Sequence, residues 1–349
     1  MNNGTQAYFR MAREARKVRG GEAARRGATV LGRFSRVKVL VAGDLMLDQF
    51  VWGRVQRISP EAPVPIVQVT DESFRLGGAA NVVHNVRSLG GKATACGVVG
   101  RDAAGRRLLD GLRQIGADTA GVCAGQTDAT TCKTRIIAHQ QQVVRLDREA
   151  GDRPASRAAE RARGFLLANL WRADVVVLSD YGKGMITPDL LGALAQLRAR
   201  RGFSLVVDPK EVNFSHYRSA SLVTPNLLEA SHASGIEIAN EATLARAGRE
   251  LLKRWQAEAV LITRGEEGMS LFCRGRAPVH IPTVARQVYD VTGAGDTVIA
   301  TCALALGAGA DLETAARLAN HAAGIVVGRF GPATVTVEEL LKNVLQNGV

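Results

Sequence analysis

The sequence predicts an α/β fold built on a mostly parallel sheet. Short apolar runs recur along the chain, each ends in a polar residue, and helical stretches separate them. Alternation of this kind implies parallel strands covered by helices on both faces. With 349 residues and 46% hydrophobic composition, the chain can bury a sizeable core.

VKVLVAG (37–43) reads as the first buried strand, closed by glycine. GAANVVHNVRSLG (78–90) follows as a helix with small and apolar residues on one side, then KATACGVVG (92–100) as a strand and AAGRRLLDGLRQIG (103–116) as a helix. ADVVVLSD (173–180), FSLVVDP (203–209), ASLVTPN (220–226) and EAVLITRG (258–265) continue the strands. The helical stretches between them cover 155–171, 188–200, 226–234 and 241–256. Two segments break the rhythm. Residues 48–76 carry Pro60, Pro63 and Pro65 with no helical period, and residues 129–149 alternate and are rich in β-branched side chains. Both are expected as strands outside the parallel core, forming a small lid sheet, since long insertions in compact domains are commonly functional.

Composition excludes several classes. The cysteines Cys96, Cys123, Cys132, Cys273 and Cys302 form no CxxC pair and no zinc spacing, which fits a reducing cytoplasm. No apolar run reaches the ~20 residues that span a bilayer, and no signal peptide with an apolar centre opens the chain, so a membrane is not an expected partner. The formal charge of +12 is concentrated before Val37, where nine Lys/Arg face only Glu14 and Glu22. Residues 1–36 are therefore expected as a basic, disordered or loosely helical accessory extension, and 37–349 as the folded domain. The extension lacks an aromatic platform or recognition motif, so nucleic acid is not an expected partner either.

Sites in open parallel sheets lie beyond the carboxyl ends of the strands. Asp44, Asp48, Asp180, Asp208, Lys210, Asn226, Glu229, Thr263 and Arg264 all fall there. A dinucleotide-binding turn is excluded because GAGDTV (293–298) lacks the third glycine, and no Lys-Ser/Thr pair completes a P-loop. DVTGAGDTVIA (290–300) remains as the chemically interesting turn. A glycine-rich turn running into a helix offers free N–H groups and a positive dipole end to an anion. Asp296 nevertheless stands where the anion is expected, either as an ordinary helix-start acid or as a group with work of its own.

GGAAN (77–81) and DVTGAGD (290–296), supported by TPNLLE (224–229) and TRGEEG (263–268), give the chain its family likeness. From about Val37 to Val335 it resembles the ribokinase-like (PfkB) sugar kinases. GDLMLDQFVWG (43–53), RISPEAPVPIVQV (57–69), GGAANVVHNVRSLG (77–90) and LSDYGKG (178–184) are similar to the heptose 7-phosphate kinase branch of that family. The resemblance implies a three-layer α/β/α core with a small β lid, and an ATP- and Mg²⁺-dependent kinase, with a monovalent cation as a further option. The implied reaction phosphorylates the anomeric hydroxyl of D-glycero-β-D-manno-heptose 7-phosphate, a step toward lipopolysaccharide core. A ribose or fructose 6-phosphate kinase is the alternative within the class, and a non-catalytic sugar or nucleotide sensor the alternative outside it.

Phosphoryl transfer needs charge stabilised on the moving group and a proton removed from the attacking hydroxyl. The resemblance gives both tasks to one turn. The backbone of Thr292, Gly293, Ala294 and Gly295 faces the phosphate, and Asp296 accepts the sugar's proton. Asn226 and Glu229 are implied to arrange Mg²⁺ through water, while the same spacing also suits a capping box; the two roles can coexist. Thr263, Arg264, Gly265 and Gly268 match a nucleotide-contacting turn or form a plain hairpin turn. Asn320 either borders the adenine or is a solvated surface residue. Asp48, Gly77, Gly78 and Asn81 match the sugar side, the glycines serving close approach or tight packing. A sugar phosphate needs a second anion site, for which Arg101, Lys133, Arg135 and Lys183 are the candidates. The lid strands are expected to pair two subunits into a homodimer. No HxGH motif is present, so a stand-alone kinase is expected.

Overall fold

Val39 and Val41 pack into one hydrophobic cluster, and Leu40 and Ala42 into another on the opposite face. The central strand is therefore apolar from Val39 onward because both of its faces are covered. The computed structural model describes residues 22–125, 129–139, 141–149, 156–285 and 287–347.

The strands in chain order are β1 (Lys38–Gly43), β2 (Leu45–Ile58), β3 (Pro65–Gly78), β4 (Lys92–Gly100), β5 (Asp118–Gly125), β6 (Thr131–Ala138), β7 (Gln141–Arg148), β8 (Val175–Ser179), β9 (Ser204–Asp208), β10 (Leu222–Val223), β11 (Ala259–Thr263), β12 (Met269–Cys273) and β13 (Val279–Ile281). Nine of them form one sheet in the order β13-β12-β11-β10-β9-β8-β1-β4-β5. It is parallel except for β12 and β13, which close one side as antiparallel strands. The other four form the second sheet, in the order β3-β2-β6-β7. Both proline-rich and alternating insertions thus become the lid. β2 and β3 start and end in the core, at Leu45–Leu47 and Leu76–Gly78, then run into solvent.

One helical layer contains α1 (Glu22–Leu31), α2 (Ala79–Ser88), α3 (Ala103–Gln114), α8 (Ala294–Gly307), α9 (Leu312–Val326) and α10 (Val337–Asn347). The other contains α4 (Arg157–Asn169), α5 (Pro188–Arg201), α6 (Leu227–Ser234) and α7 (Glu241–Trp255). Among the described residues no helix is long and apolar enough to cross a membrane.

The basic extension differs from expectation. α1 packs against α9 and α10, and Ala24, Ala28, Val30, Leu31 and Phe34 are buried, Phe34 at 1% exposure. Apolar residues three and four apart form a stripe that the surrounding arginines obscure in the composition. Those arginines point outward: Arg26 pairs with Asp311 at 3.5 Å and Arg33 donates to the Ala308 carbonyl at 3.3 Å. The folded domain therefore begins before Val37. Residues 1–21 lie outside the described residues.

Candidate active site

Asp296 occupies the first turn of α8, behind Gly293, whose φ of 79° needs the left-handed region open to glycine. An ordinary helix-start acid would cap backbone amides. Asp296 instead is buried at 5% exposure and accepts two side-chain hydrogen bonds. Asn81 Nδ2 donates to Oδ2 at 2.7 Å, and the Tyr181 hydroxyl donates to Oδ1 at 2.9 Å. Burial pushes this carboxyl up to about 6, with Asp48 adding to the rise and the Asn81 bond, the Tyr181 bond and Lys133 opposing it.

The turn before Asp296 is partly self-satisfied. Thr292 N–H donates to Asp290 Oδ1 at 2.9 Å and Ala294 N–H to the Val291 carbonyl at 3.1 Å. Of the four residues expected to face the phosphate, these two have already used their amides. The amides of Gly293 and Gly295 have no acceptor among the described residues. Gly295 is exposed, and a Cβ there would meet nothing within 4 Å, so space for a ligand lies in front of it.

The sugar-side residues converge on the same place. Asp48, on β2, is buried and accepts from Arg135 Nη1 at 2.5 Å. Arg135 also lies over the Phe50 ring, 5.3 Å from its centre. Lys133 stands opposite Asp48 across the β2–β6 pair, with its ammonium 5.7 Å from the centre of the Tyr181 ring. Burial lowers the Lys133 pKa, against the pull of Asp48 and Asp147. The glycines serve close packing here. A Cβ on Gly77 would lie 2.4 Å from Asp48 Oδ2, and one on Gly293 would lie 2.7 Å from Asn81 Nδ2. Gly78, with φ of 54°, caps α2 and leaves no room beside the Asp44 carbonyl.

The other two basic candidates behave differently. Lys183 pairs with Glu149 at 2.5 Å, tying the loop after β8 to the end of the lid. Arg101 is exposed beyond β4, and no hydrogen bond or ion pair links it to the Asp296 network among the described residues.

Toward β11 the candidate residues serve turns and caps. Asn226 and Glu229 form the capping box at the start of α6: Asn226 Oδ1 accepts from Glu229 N–H at 2.9 Å, and Glu229 Oε2 accepts from Asn226 N–H at 3.0 Å. Glu229 Oε1 has Lys210 at 3.9 Å. Burial raises the Glu229 pKa, with the Asn226 N–H and Lys210 opposing. Asp208, at the end of β9, is pushed well up by burial and by the charges of Asp296 and Glu229. Thr263 N–H donates to the Pro225 carbonyl at 3.0 Å. Arg264 is drawn into the β11–β12 hairpin by Glu267, by Glu241 at 2.5 Å and by Ser270 at 3.1 Å. Gly265, with φ of 59°, faces open space. Gly268 and Asn320 clamp one segment from two sides: a Gly268 Cβ would strike the Ile281 carbonyl at 2.1 Å, and Asn320 Nδ2 donates to the Pro282 carbonyl at 2.8 Å. Asn320 is 4% exposed, so it is not the solvated surface residue that the sequence also allowed.

Two residues with no role assigned from sequence complete the site. Tyr181 is one, held by a buried Asp44 that accepts from the N–H groups of Tyr181 at 2.9 Å, Lys183 at 3.0 Å and Met185 at 3.1 Å. The Asp44 pKa is raised by burial in spite of these bonds. Asp208 is the other. Its place at a strand end is visible in sequence, but its nearness to the charges of both Glu229 and Asp296 is not.

Residues 37–339 match the pfkB family carbohydrate kinase. The chain belongs to that family. It is a sugar kinase with a ribokinase-like fold. It is 48% identical over 305 residues to the bifunctional protein HldE of Geobacter metallireducens, covering 87% of this chain and 62% of that protein. The HldE of Pelobacter propionicus is 46% identical over 316 residues, 90% of this chain and 65% of that one. The kinase thus spans under two thirds of the length of these relatives. Among solved structures, phosphofructokinase-2 of Escherichia coli in complex with potassium superposes with a TM-score of 0.74 at 19% identity, covering 89% of this chain and 99% of that one. Ribokinase of Arabidopsis thaliana complexed with ribose and ATP gives 0.71 at 21% identity, over 88% and 98%. At these identities the likeness establishes the shared fold.

Proposed function

We propose that this sugar kinase transfers the γ-phosphoryl group of ATP to the anomeric hydroxyl of D-glycero-β-D-manno-heptose 7-phosphate, giving the 1,7-bisphosphate in the cytoplasm for lipopolysaccharide core synthesis. The observation that carries the chemistry is the buried Asp296 at a helix start, aimed at side chains and flanked by the free amides of Gly293 and Gly295. A carboxylate so placed accepts the hydroxyl proton while the amides and helix end stabilise charge on the moving phosphoryl group. Asp48 and Asn81 orient the sugar, and Lys133 and Arg135 are the cations within reach of its phosphate. Heptose rather than ribose or fructose 6-phosphate is supported by the GDLMLDQFVWG and RISPEAPVPIVQV resemblance.

Mg²⁺ is the implied metal. Among the described residues no group of three or more metal-ligating side chains gathers, while Glu229 and Asp208 are near enough for their charges to interact, with Lys210 the neighbouring cation. Two carboxylates beside one lysine fit a hydrated ion carried on the nucleotide phosphates better than a protein-caged one. Glu229 would hold it through water, and the ion would supply charge neutralisation at the phosphates. Thr263, Gly265, Gly268 and Asn320 would border the nucleotide. The exposed Val69, Val143, Val144 and Leu146 of the lid support a homodimer through these strands. A panel of sugars and sugar phosphates scored for ADP release tests the assignment. The heptose 7-phosphate is expected to give the highest kcat/KM, and preference for ribose or fructose 6-phosphate would overturn it.

A further inference from the structure

We propose that Tyr181 is a positioning residue for the reaction, its hydroxyl and the Asn81 amide together holding the Asp296 carboxylate in one orientation for the sugar. This rests on the reading of Asp296 as the general base. The loop that carries Tyr181 has no freedom to make the contact by accident. Its three amides at positions 181, 183 and 185 are bound by the Asp44 carboxylate. Asp180, the preceding residue, is itself anchored by Gly182 N–H at 2.8 Å, Asn213 at 2.7 Å and the Tyr217 hydroxyl at 2.6 Å. The Tyr181 hydroxyl emerges from this scaffold 2.9 Å from Asp296 Oδ1.

The opposing contact is equally braced. Asn85 Nδ2 donates to the Asn81 carbonyl at 3.0 Å, and Thr297 donates to Asn85 Oδ1 at 2.9 Å, so Asn81 is fixed from below. An ionised carboxylate has about four lone-pair sites. Two are taken by protein donors, one on each oxygen, and the remaining sites are left for the sugar hydroxyl in a defined plane. Without the phenol, only Oδ2 is held, and the carboxylate can turn about its last bond.

The same bond has a charge consequence. Asp48 on β2 favours the protonated form of Asp296, while Lys133 on β6 favours the ionised one; Asp208 on β9 is near enough for the Asp296 charge to raise its own pKa, and Arg135 is engaged by Asp48. A phenol that donates to the carboxylate adds to the side of Lys133. Its removal therefore moves Asp296 toward protonation.

The experiment is Tyr181→Phe, which keeps the ring and deletes the donor. We expect kcat to fall roughly 10-fold and the acid limb of kcat/KM to move up by about one pH unit. ATP affinity should stay within about twofold. Substrate ionisation is common to both enzymes and cancels in the comparison. An unmoved limb with kcat within twofold would overturn the proposal, because a merely structural tyrosine lowers stability without shifting the profile. Should the Phe variant fail to fold, 3-fluorotyrosine at position 181 keeps the ring and donates more strongly, and the limb should then move down; no movement overturns the proposal equally. Asp296→Asn is measured alongside. Near-normal turnover there removes the base reading itself, whereas a slow Asn variant beside a normal Phe variant removes only the role of Tyr181.

Discussion

Around Asp296, the polar side chains bond to one another across long stretches of chain: Asn81 and Tyr181 to Asp296, Arg135 to Asp48. Around Thr263, they bond mostly to their own neighbourhood: Asn226 and Glu229 to each other's backbone, Arg264 to the hairpin that bears it and to Glu241 at the start of α7. Both regions lie at the carboxyl ends of the same sheet. The difference separates two ways of building a site. Where side chains converge from distant elements, they hold a reacting group in place, and each change should be felt in catalysis. Where they are consumed by caps and turns, they leave backbone and open space to a ligand, and each change should be felt in stability.

The comparison breaks first at Asp296. Asp296→Asn keeps size and polarity and removes the proton acceptor, so kcat should fall by roughly 10²–10⁴, about 3–5 kcal/mol in the barrier. Nucleotide affinity should stay within a few-fold. In the wild type, Asp296 must be ionised to act and its pKa is raised to about 6. kcat/KM should therefore be constant above that range and fall as pH drops through it. Near-normal kcat in the Asn variant would return Asp296 to the class of local acids.

A control outside both regions comes next. A chain beginning at Val37 loses Val30, Leu31 and Phe34 from the core, which should lower stability by about 3 kcal/mol or more relative to a chain beginning at Glu22. Urea unfolding measures it, and an unchanged midpoint would show that α1 is dispensable. Smaller again is Arg135→Gln or Lys133→Gln. KM for the sugar phosphate should rise about 10–100-fold, or roughly 1.4–2.7 kcal/mol, with ATP affinity unchanged. If both variants bind the sugar phosphate normally, the second anion site lies elsewhere. The smallest effect belongs to Asn226→Ala, which removes the cap of α6 and should cost about 1 kcal/mol of stability. A large loss of kcat without that destabilisation would erase the contrast between the two regions.

The parallel core, the lid and the glycine turn before Asp296 are all legible in the sequence because each rests on a local pattern: continuous apolar runs, alternation with prolines, glycines before an apolar helix. The capping box at Asn226 is legible for the same reason. What escapes is long-range. Tyr181 is an aromatic in a glycine-flanked loop until Asp44 fixes that loop 137 residues away in sequence. α1 hides its apolar stripe inside a basic composition. β12 and β13 are short, and Leu222–Val223 reduces an expected seven-residue strand to two because the chain turns at once into the Asn226 cap. Asn320 reads as a polar helix residue, and only the segment at Pro282 laid against it makes it buried.

β2 has a mechanical consequence. It leaves the core two residues after β1 ends and extends 14 residues, carrying Asp48 near its root and Ile58 at its tip. At about 3.3 Å per residue the tip stands roughly 33 Å beyond Asp48. The strand is a lever with the Asp48 carboxylate at the fulcrum. The register shifts at Trp52/Gly53 and Val55/Arg57 lie on the outer arm, so bending there is taken up beyond the fulcrum. A swing of about 10° would carry the tip some 6 Å, while a residue beside the pivot travels well under 1 Å. Such a geometry lets the outer sheet swing while the groups at its base stay in register with Asp296.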